Sequence, residues 1–274
     1  MIKITGLISL ILFIQITQAR AATELEIVNE RTVDGETQTY LINALYQNGS
    51  SRYTLHDPEN DKTGTGIYLL SVDGGKTAHY IDTNENICHR WTNAEFSENL
   101  GAFMLQSTDK FNVKTSDLAL IKLLEEPAEP IHGFPTTHFR YALSFNASYK
   151  YMLFKGKYAL ERQVDYWAVP ELEVVIGGEP LFQNFWQHTG HDQVDQQISS
   201  FVESNTDFRL RSEILQTRTN KKGETSSTKI VQHVKTLKEI EDLPASTFQV
   251  PECQDVGARK MNKKFKALLK DLLS

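Results

Sequence analysis

The chain has 274 residues, enough for one large domain and a short tail. Asp and Glu outnumber Lys and Arg by 35 to 29, giving a formal charge of −6. That balance argues against a nucleic-acid partner, which needs a basic face.

The first residues have the layout of a secretory signal. Lys3 precedes an apolar run from Ile4 to Ile16, and Ala19-Arg20-Ala21 provides a small-residue cleavage site. The run is shorter than the roughly 20 residues of a membrane span, and no later apolar stretch is longer. Residues 1–21 are therefore expected to be removed, leaving a periplasmic or secreted protein. Loss of Lys3 and Arg20 takes the charge from −6 to −8.

Strand signals follow. Residues 24–33 and 37–47 flank Asp34-Gly35, a good hairpin turn. Asn48-Gly49-Ser50 and His56 to Thr65 read as solvated turns, and Gly64-Thr65-Gly66 lacks the residues that would make it a phosphate loop. Ile67 to Val72, Thr77 to Asp82 and Asn86 to Thr92 form a meander with tight turns at Asp73-Gly74-Gly75 and Thr83-Asn84-Glu85. Thr92-Asn93-Ala94 with Glu95 opens a helix, and Phe96, Leu100, Phe103 and Met104 would pack it on a sheet. Asp117 to Leu124 suggests a second short helix. The prolines at 127, 130 and 135 and Gly133 suggest a loop over 125–135, with Glu125, Glu126 and Glu129 in solvent.

From Phe139 the chain alternates strictly. Phe139, Tyr141, Leu143, Phe145, Ala147, Tyr149, Tyr151 and Leu153 share one phase. Lys155-Gly156-Lys157 is the expected turn. Tyr158, Leu160, Val164 and Tyr166 carry the pattern back, with Arg162 the one break. Strands usually run about 5–6 residues, so arms this long imply a large, bent sheet whose aromatic face needs a cover. A helix or a bound apolar ligand could supply it. Leu181, Phe182, Phe185 and Trp186 suit one helix face, and Val194, Ile198, Phe201 and Val202 a second. Another hairpin spans Phe208 to Thr219 and Glu224 to Leu237 around Lys221-Lys222-Gly223. Leu243 to Pro251 closes the domain at about residue 255.

The tail, 256–274, repeats Met261, Phe265, Leu268 and Leu272 among Arg259, Lys260, Lys263, Lys264, Lys266 and Lys270. Such a basic amphipathic helix suits an anionic membrane surface or docking on the acidic body. Cys88 and Cys253 could pair in an exported protein or remain half-buried thiols.

Catalytic signals are weak. His188-x-x-His191 with Asp192 or Asp195 has metal-like spacing, but Gly190 interrupts the helix that would align it. His79 and His89 fall within the meander and read as core or surface groups. No G-x-S-x-G elbow occurs. The expectation is a protein that is not an enzyme and needs no cofactor.

The turn and return Asp73-Gly74-Gly75-Lys76-Thr77, the hairpin Arg209 to Leu237 and the segment Leu243 to Pro251 resemble exported bacterial proteins of the lipoprotein-carrier-like (LolA/LolB-like) superfamily, in particular its branch of domain-of-unknown-function proteins. The resemblance implies an α+β, mainly β fold: a large curved antiparallel sheet, or half-open barrel, with helices covering its concave face. It also implies that this face holds a lipid or the acyl groups of a lipoprotein. The expected pocket lining is Tyr141, Phe145, Tyr149, Tyr151, Tyr166 and Trp186. The alternative is a cell-envelope structural or interaction protein that uses its basic tail.

Overall fold

The computed structural model describes residues 21–56, 66–104, 112–151, 154–169, 181, 185–187, 189, 192–202 and 207–272. The expected leader, the turn after His56, the segment 170–180, Phe182, His188 and His191 fall outside them.

The described strands form one antiparallel sheet with a two-residue parallel addition at one edge. They are β1 (Ala22–Val33), β2 (Glu36–Gln47), β3 (Ser50–His56), β4 (Ile67–Ser71), β5 (Thr77–Asp82), β6 (Ile87–Thr92), β7 (Asn112–Ile131), β8 (Phe134–Tyr151), β9 (Phe154–Val169), β10 (Phe208–Asn220), β11 (Thr225–Ile240) and β12 (Gln254–Asp255). Their order across the sheet is β12-β6-β5-β4-β3-β2-β1-β11-β10-β9-β8-β7. Two meanders, β1 to β6 and β7 to β11, are thus joined where β1 pairs with β11. The helices are α1 (Asn93–Met104), α2 (Asp192–Val202) and α3 (Ala258–Leu272), with 3-10 turns at Phe185–Gln187 and Ala245–Phe248.

One apolar cluster runs from Leu25 and Ile42 through Tyr53, Trp91, Tyr141 and Val164 to Ile230 and Phe265. Residues from both meanders and all three described helices meet in it, so the sheet turns a single concave face toward one core. Bulges at Glu26/Ile27 and Arg209/Arg211 add local bend and twist to the middle strands. Among the described residues no strand pairs with the far side of β7, and the sheet stays open.

The long aromatic hairpin is present as β8 and β9, but its turn lies elsewhere. Tyr151 pairs with Phe154, and Lys155 and Gly156 lie inside β9 opposite Lys150 and Tyr149. Glycine is compatible with an extended strand, so Lys-Gly-Lys did not enforce a turn. The expected helix at 117–124 and the loop at 125–135 are also corrected. Both belong to β7, which runs unbroken to Ile131 before a turn at His132 and Gly133, both at positive φ. Bulges at Ser116/Ala119, Lys122/Leu124 and Ala128/Ile131 shift its phase three times, and half-buried Thr115, Leu118, Leu120, Leu124, Ala128 and Ile131 are unevenly spaced. An edge strand also tolerates Pro127 and Pro130, because its outer side has no ladder to donate to. Exposed Lys122, Glu125 and Glu126 protect that edge from chance pairing.

Helix α1 begins with a capping box. Thr92 Oγ1 accepts from the Glu95 amide at 3.2 Å, and the Thr92 amide donates back to Glu95 Oε2 at 2.8 Å. Phe96 and Leu100 then enter the core.

After β11 the chain hooks around the other edge. Phe248 and Val250 lie on the outer side of β4 and β5 against Tyr68, Leu70 and Ile81. Cys253 is bonded to Cys88, with Cα atoms 5.7 Å apart. β12 adds in parallel to β6, and α3 returns on the inner side with Met261 and Phe265 fully buried. The tail therefore docks on the body it was expected either to dock on or to leave.

Candidate functional site

The alternation of each strand sends one residue in two to the concave face. Across the middle of the sheet, pairing aligns these inner residues in rows. One row reads Tyr40, Asn29, Gln232, Ser212, Tyr166 and Phe139 from β2 to β8. A parallel row carries Ile230, Ile214, Val164 and Tyr141, and the next carries Thr228, Gln216, Arg162 and Leu143. Arg218 and Leu160 follow, with Phe145 beyond them. The floor thus alternates between polar and apolar bands along the strands.

The rings on β8 and β9 stack on one another. Phe139 and Tyr166 lie 5.0 Å apart between centroids, Tyr141 and Tyr166 5.7 Å, and Tyr141 and Trp186 6.3 Å. Phe201 meets Tyr141 edge-on at 5.8 Å. Offset or edge contacts of this kind add about 0.5–1.5 kcal/mol beyond burial. Among the residues expected to line a pocket, Tyr141, Phe145, Tyr166 and Trp186 are buried in the common core. Tyr149 and Tyr151 sit at the hairpin end of β8, and their side chains fall outside the described residues. Among the described residues the cover over this floor includes Leu181, whose amide donates to Tyr53 Oη at 3.2 Å, the turn holding Trp186, and Val194 and Ile198 of α2.

Arg162 links floor and cover. Its Nε and Nη2 donate to Gln216 Oε1 at 3.1 and 2.6 Å, and its Nη1 donates to the Trp186 carbonyl at 2.5 Å. It is 2 % exposed. Burial lowers its pKa to about 10; nearby Asp195 opposes that shift and the like charge of Arg218 adds to it. Arg209 lies over the Tyr166 ring at 4.4 Å and reaches Trp186 at 5.6 Å; Arg218 lies over Tyr158 at 4.5 Å. Burial likewise lowers the pKa of Arg31, beside Asn29 on the same face.

Buried donors on this side without an acceptor among the described residues include Asn29 Nδ2 and Trp186 Nε1. Burying such a group unpaired costs about 1–3 kcal/mol. The polar bands were missed at the sequence level. Arg162 was visible as a break in an apolar row, but nothing local connects it with Gln216, Asn29 or Gln232, which the register supplies.

His188, His191 and the side chain of Asp192, three members of the metal-like cluster, lie outside the described residues. Asp195 accepts from the amide and hydroxyl of Thr189 at 2.7 and 2.5 Å. No group of three metal-ligating side chains occurs among the described residues. His89 Nδ1 donates to Asp255 Oδ1 at 2.8 Å, and its ring meets the Trp91 ring edge-on at 5.4 Å.

The outer side carries its own polar cluster. Asp165 accepts from His138 at 2.8 Å, Arg140 at 2.6 Å and Gln163 at 2.8 Å. Burial would raise its pKa, but these bonds outweigh burial and hold the carboxyl low. Trp167 stacks on His138 at 4.3 Å and under Arg211 at 4.7 Å, so both ring faces are occupied. Open grooves of about 350 Å³ beside Ile121, Ala142 and Leu215, and about 410 Å³ beside Lys114, Ser148 and Lys157, also lie away from the ring stack.

No family model matches the chain, and no curated protein matches it. Among solved structures it is similar to PNGF-II, at 11 % identity and a TM-score of 0.39 over 90 % of this chain; it spans 33 % of that one. It is similar to a putative outer membrane lipoprotein-sorting protein domain from Vibrio parahaemolyticus, at 9 % identity and a TM-score of 0.32, over 84 % of this chain and 89 % of that one. It is also similar to a DUF1329 family protein from Desulfovibrio piger, at 10 % identity and a TM-score of 0.31, over 86 % and 92 %.

Proposed function

We propose that this is an exported, non-enzymatic binding protein that holds an amphiphile between its concave face and the helical cover, with a lipid or a lipoprotein acyl group as the ligand class. The observation that carries the reading is Trp186 Nε1, a buried donor without a described acceptor set directly beside the Tyr141–Tyr166 ring stack. An apolar wall with an unsatisfied donor at its edge suits a ligand with a greasy chain and an acceptor-bearing end. The Cys88–Cys253 bond supports export, because disulfides persist in oxidising compartments.

Native mass spectrometry of the full-length protein, followed by organic extraction, tests this. A co-purifying amphiphile, or uptake of hexadecanoate by the extracted protein, is the expected result. Neither appearing would remove the reading.

A second reading concerns the outward side of α3. Arg259, Lys260, Lys263 and Lys266 remain exposed while Met261 and Phe265 face the core. That cationic stripe suits an anionic membrane or an acidic partner of the cell envelope. Deleting the helix would expose the core, so the test is charge reversal of these four residues. Co-sedimentation with phosphatidylglycerol vesicles, present in the wild type and lost in the variant, supports it; equal sedimentation of both sinks it.

A further inference from the structure

The row Asn29, Gln232, Ser212 and Tyr166 crosses the middle of the concave face, with one residue from each of β1, β11, β10 and β9. Asn29, Gln232 and Ser212 are 2, 7 and 6 % exposed. They set two amides and a hydroxyl side by side, next to a row of Ile230, Ile214 and Val164. Neutral polar groups at this depth are normally bonded, because a dry unpaired one is costly. Asn29 Nδ2 nevertheless has no acceptor among the described residues, and neither has Trp186 Nε1. These two donors stand at opposite ends of the row. Asn29 is on β1. Trp186 lies beside the β9 end, where Arg209 reaches the rings of both Tyr166 and Trp186. Three strand spacings separate β1 from β9, roughly 14 Å at about 4.8 Å each. A carboxylate or a phosphate is too compact to meet both donors.

We infer that the polar part of the bound amphiphile is an uncharged sugar head group, lying across the strands from Trp186 to Asn29. Its oxygens accept from Trp186 Nε1 at one end and from Asn29 Nδ2 at the other. Between them Gln232 and Ser212 each offer both a donor and an acceptor. A sugar hydroxyl answers both kinds of group, whereas a carboxylate only accepts and leaves the Gln232 and Asn29 side-chain oxygens without a donor. Two linked sugar rings are long enough to run along such a row. The acyl chain leaves the row at Tyr166 and follows β8 and β9 beside Tyr141, Leu143 and Phe145. The inference rests on the carrier reading above, and names the head group that reading leaves open.

The test uses the full-length protein freed of bound lipid. Dodecyl maltoside, dodecanoate and dodecan-1-ol are titrated below their micelle concentrations, with Trp fluorescence and calorimetry as readouts. Pairing two buried donors that otherwise lack acceptors is strong enough to favour the maltoside over the other probes by about tenfold or more. Asn29→Leu is close in volume and removes the orphan amide, so its urea midpoint is expected to match or exceed that of the wild type. The same variant, and Gln232→Leu independently, should erase most of the maltoside preference while dodecan-1-ol binding stays within about threefold. Dodecanoate or dodecan-1-ol binding as tightly as the maltoside, or equal losses for all three probes in both variants, overturns the head-group assignment while the carrier reading survives. Failure of all three probes to bind overturns both.

Discussion

The two ends of the concave face are covered in different ways. At the β5–β6 end the protein's own tail is the cover. Phe265 packs on Tyr80, Trp91 and Phe96 with ring centroids 6.3, 5.6 and 5.6 Å away. Trp91 Nε1 donates to Asn262 at 3.0 Å, and Lys264 pairs with Glu85 on the rim. The buried indole N–H at that contact has its acceptor, and the ammonium at its rim has its carboxylate. Under the Phe185–Gln187 turn the floor carries Arg162, Gln216 and Arg218, and a second buried tryptophan, Trp186, has no acceptor for its N–H among the described residues. Trp91 and Trp186 are 2 % and 1 % exposed. The same side chain at the same depth is satisfied at one end and unsatisfied at the other. A sealed end reads as stability, and an unfinished one reads as a place kept for something else.

The largest effect is expected at the sealed end. Truncating a fully buried phenylalanine costs about 3–5 kcal/mol from lost transfer energy and the cavity left behind. Phe265→Ala should therefore lower the urea midpoint strongly and make α3 sensitive to protease. Loss of less than about 1 kcal/mol would mean that the helix is a loose appendage and that the sealed end is not sealed.

The disulfide comes next. It closes a loop with a sequence separation of 165 residues and fixes the start of the tail to β6. Disulfides typically contribute about 2–4 kcal/mol. Cys88→Ala/Cys253→Ala should lose that amount in the same denaturant series, with α3 the first region to lose amide protection. Uniform loss of protection across the sheet would show that the bond tethers the whole fold rather than this end.

The sequence made some of this contrast legible. β8 and β9 were readable because nothing interrupts their period of two over most of their length. The tail was readable as an amphipathic helix from Met261 and Phe265, though no local signal said that the outside of β4 and β5 would guide it back to the inner face. β7 was not readable: three bulges and two prolines erase a strand's pattern, and short windows such as Leu118 to Leu124 then mimic a helix. Arg162 announced itself as an exception. What it meant depended on Gln216 lying opposite in register and on a carbonyl from a distant turn, and long-range pairing of that kind leaves no trace in spacing.

The smallest stability effect is expected at the unfinished end, and it separates the two ends most sharply. Removing Arg162 alone would take its hydrogen bonds from Gln216 Oε1 and from the Trp186 carbonyl, and an acceptor left dry and unpaired costs about 1–3 kcal/mol. Replacing both floor groups, as in Arg162→Met/Gln216→Leu, removes the buried charge together with its main acceptor. Exchanges of buried polar groups for apolar ones of similar volume are often neutral or stabilising. The double variant should therefore match or exceed the wild type in denaturant, within about 1 kcal/mol, while losing its uptake of hexadecanoate. That split between unchanged stability and lost binding is what a retained functional group produces, since its desolvation cost is maintained for a ligand rather than for the fold. A double variant that unfolds as readily as Phe265→Ala would place Arg162 and Gln216 in the framework, and the two ends of the concave face would then differ in chemistry but not in purpose.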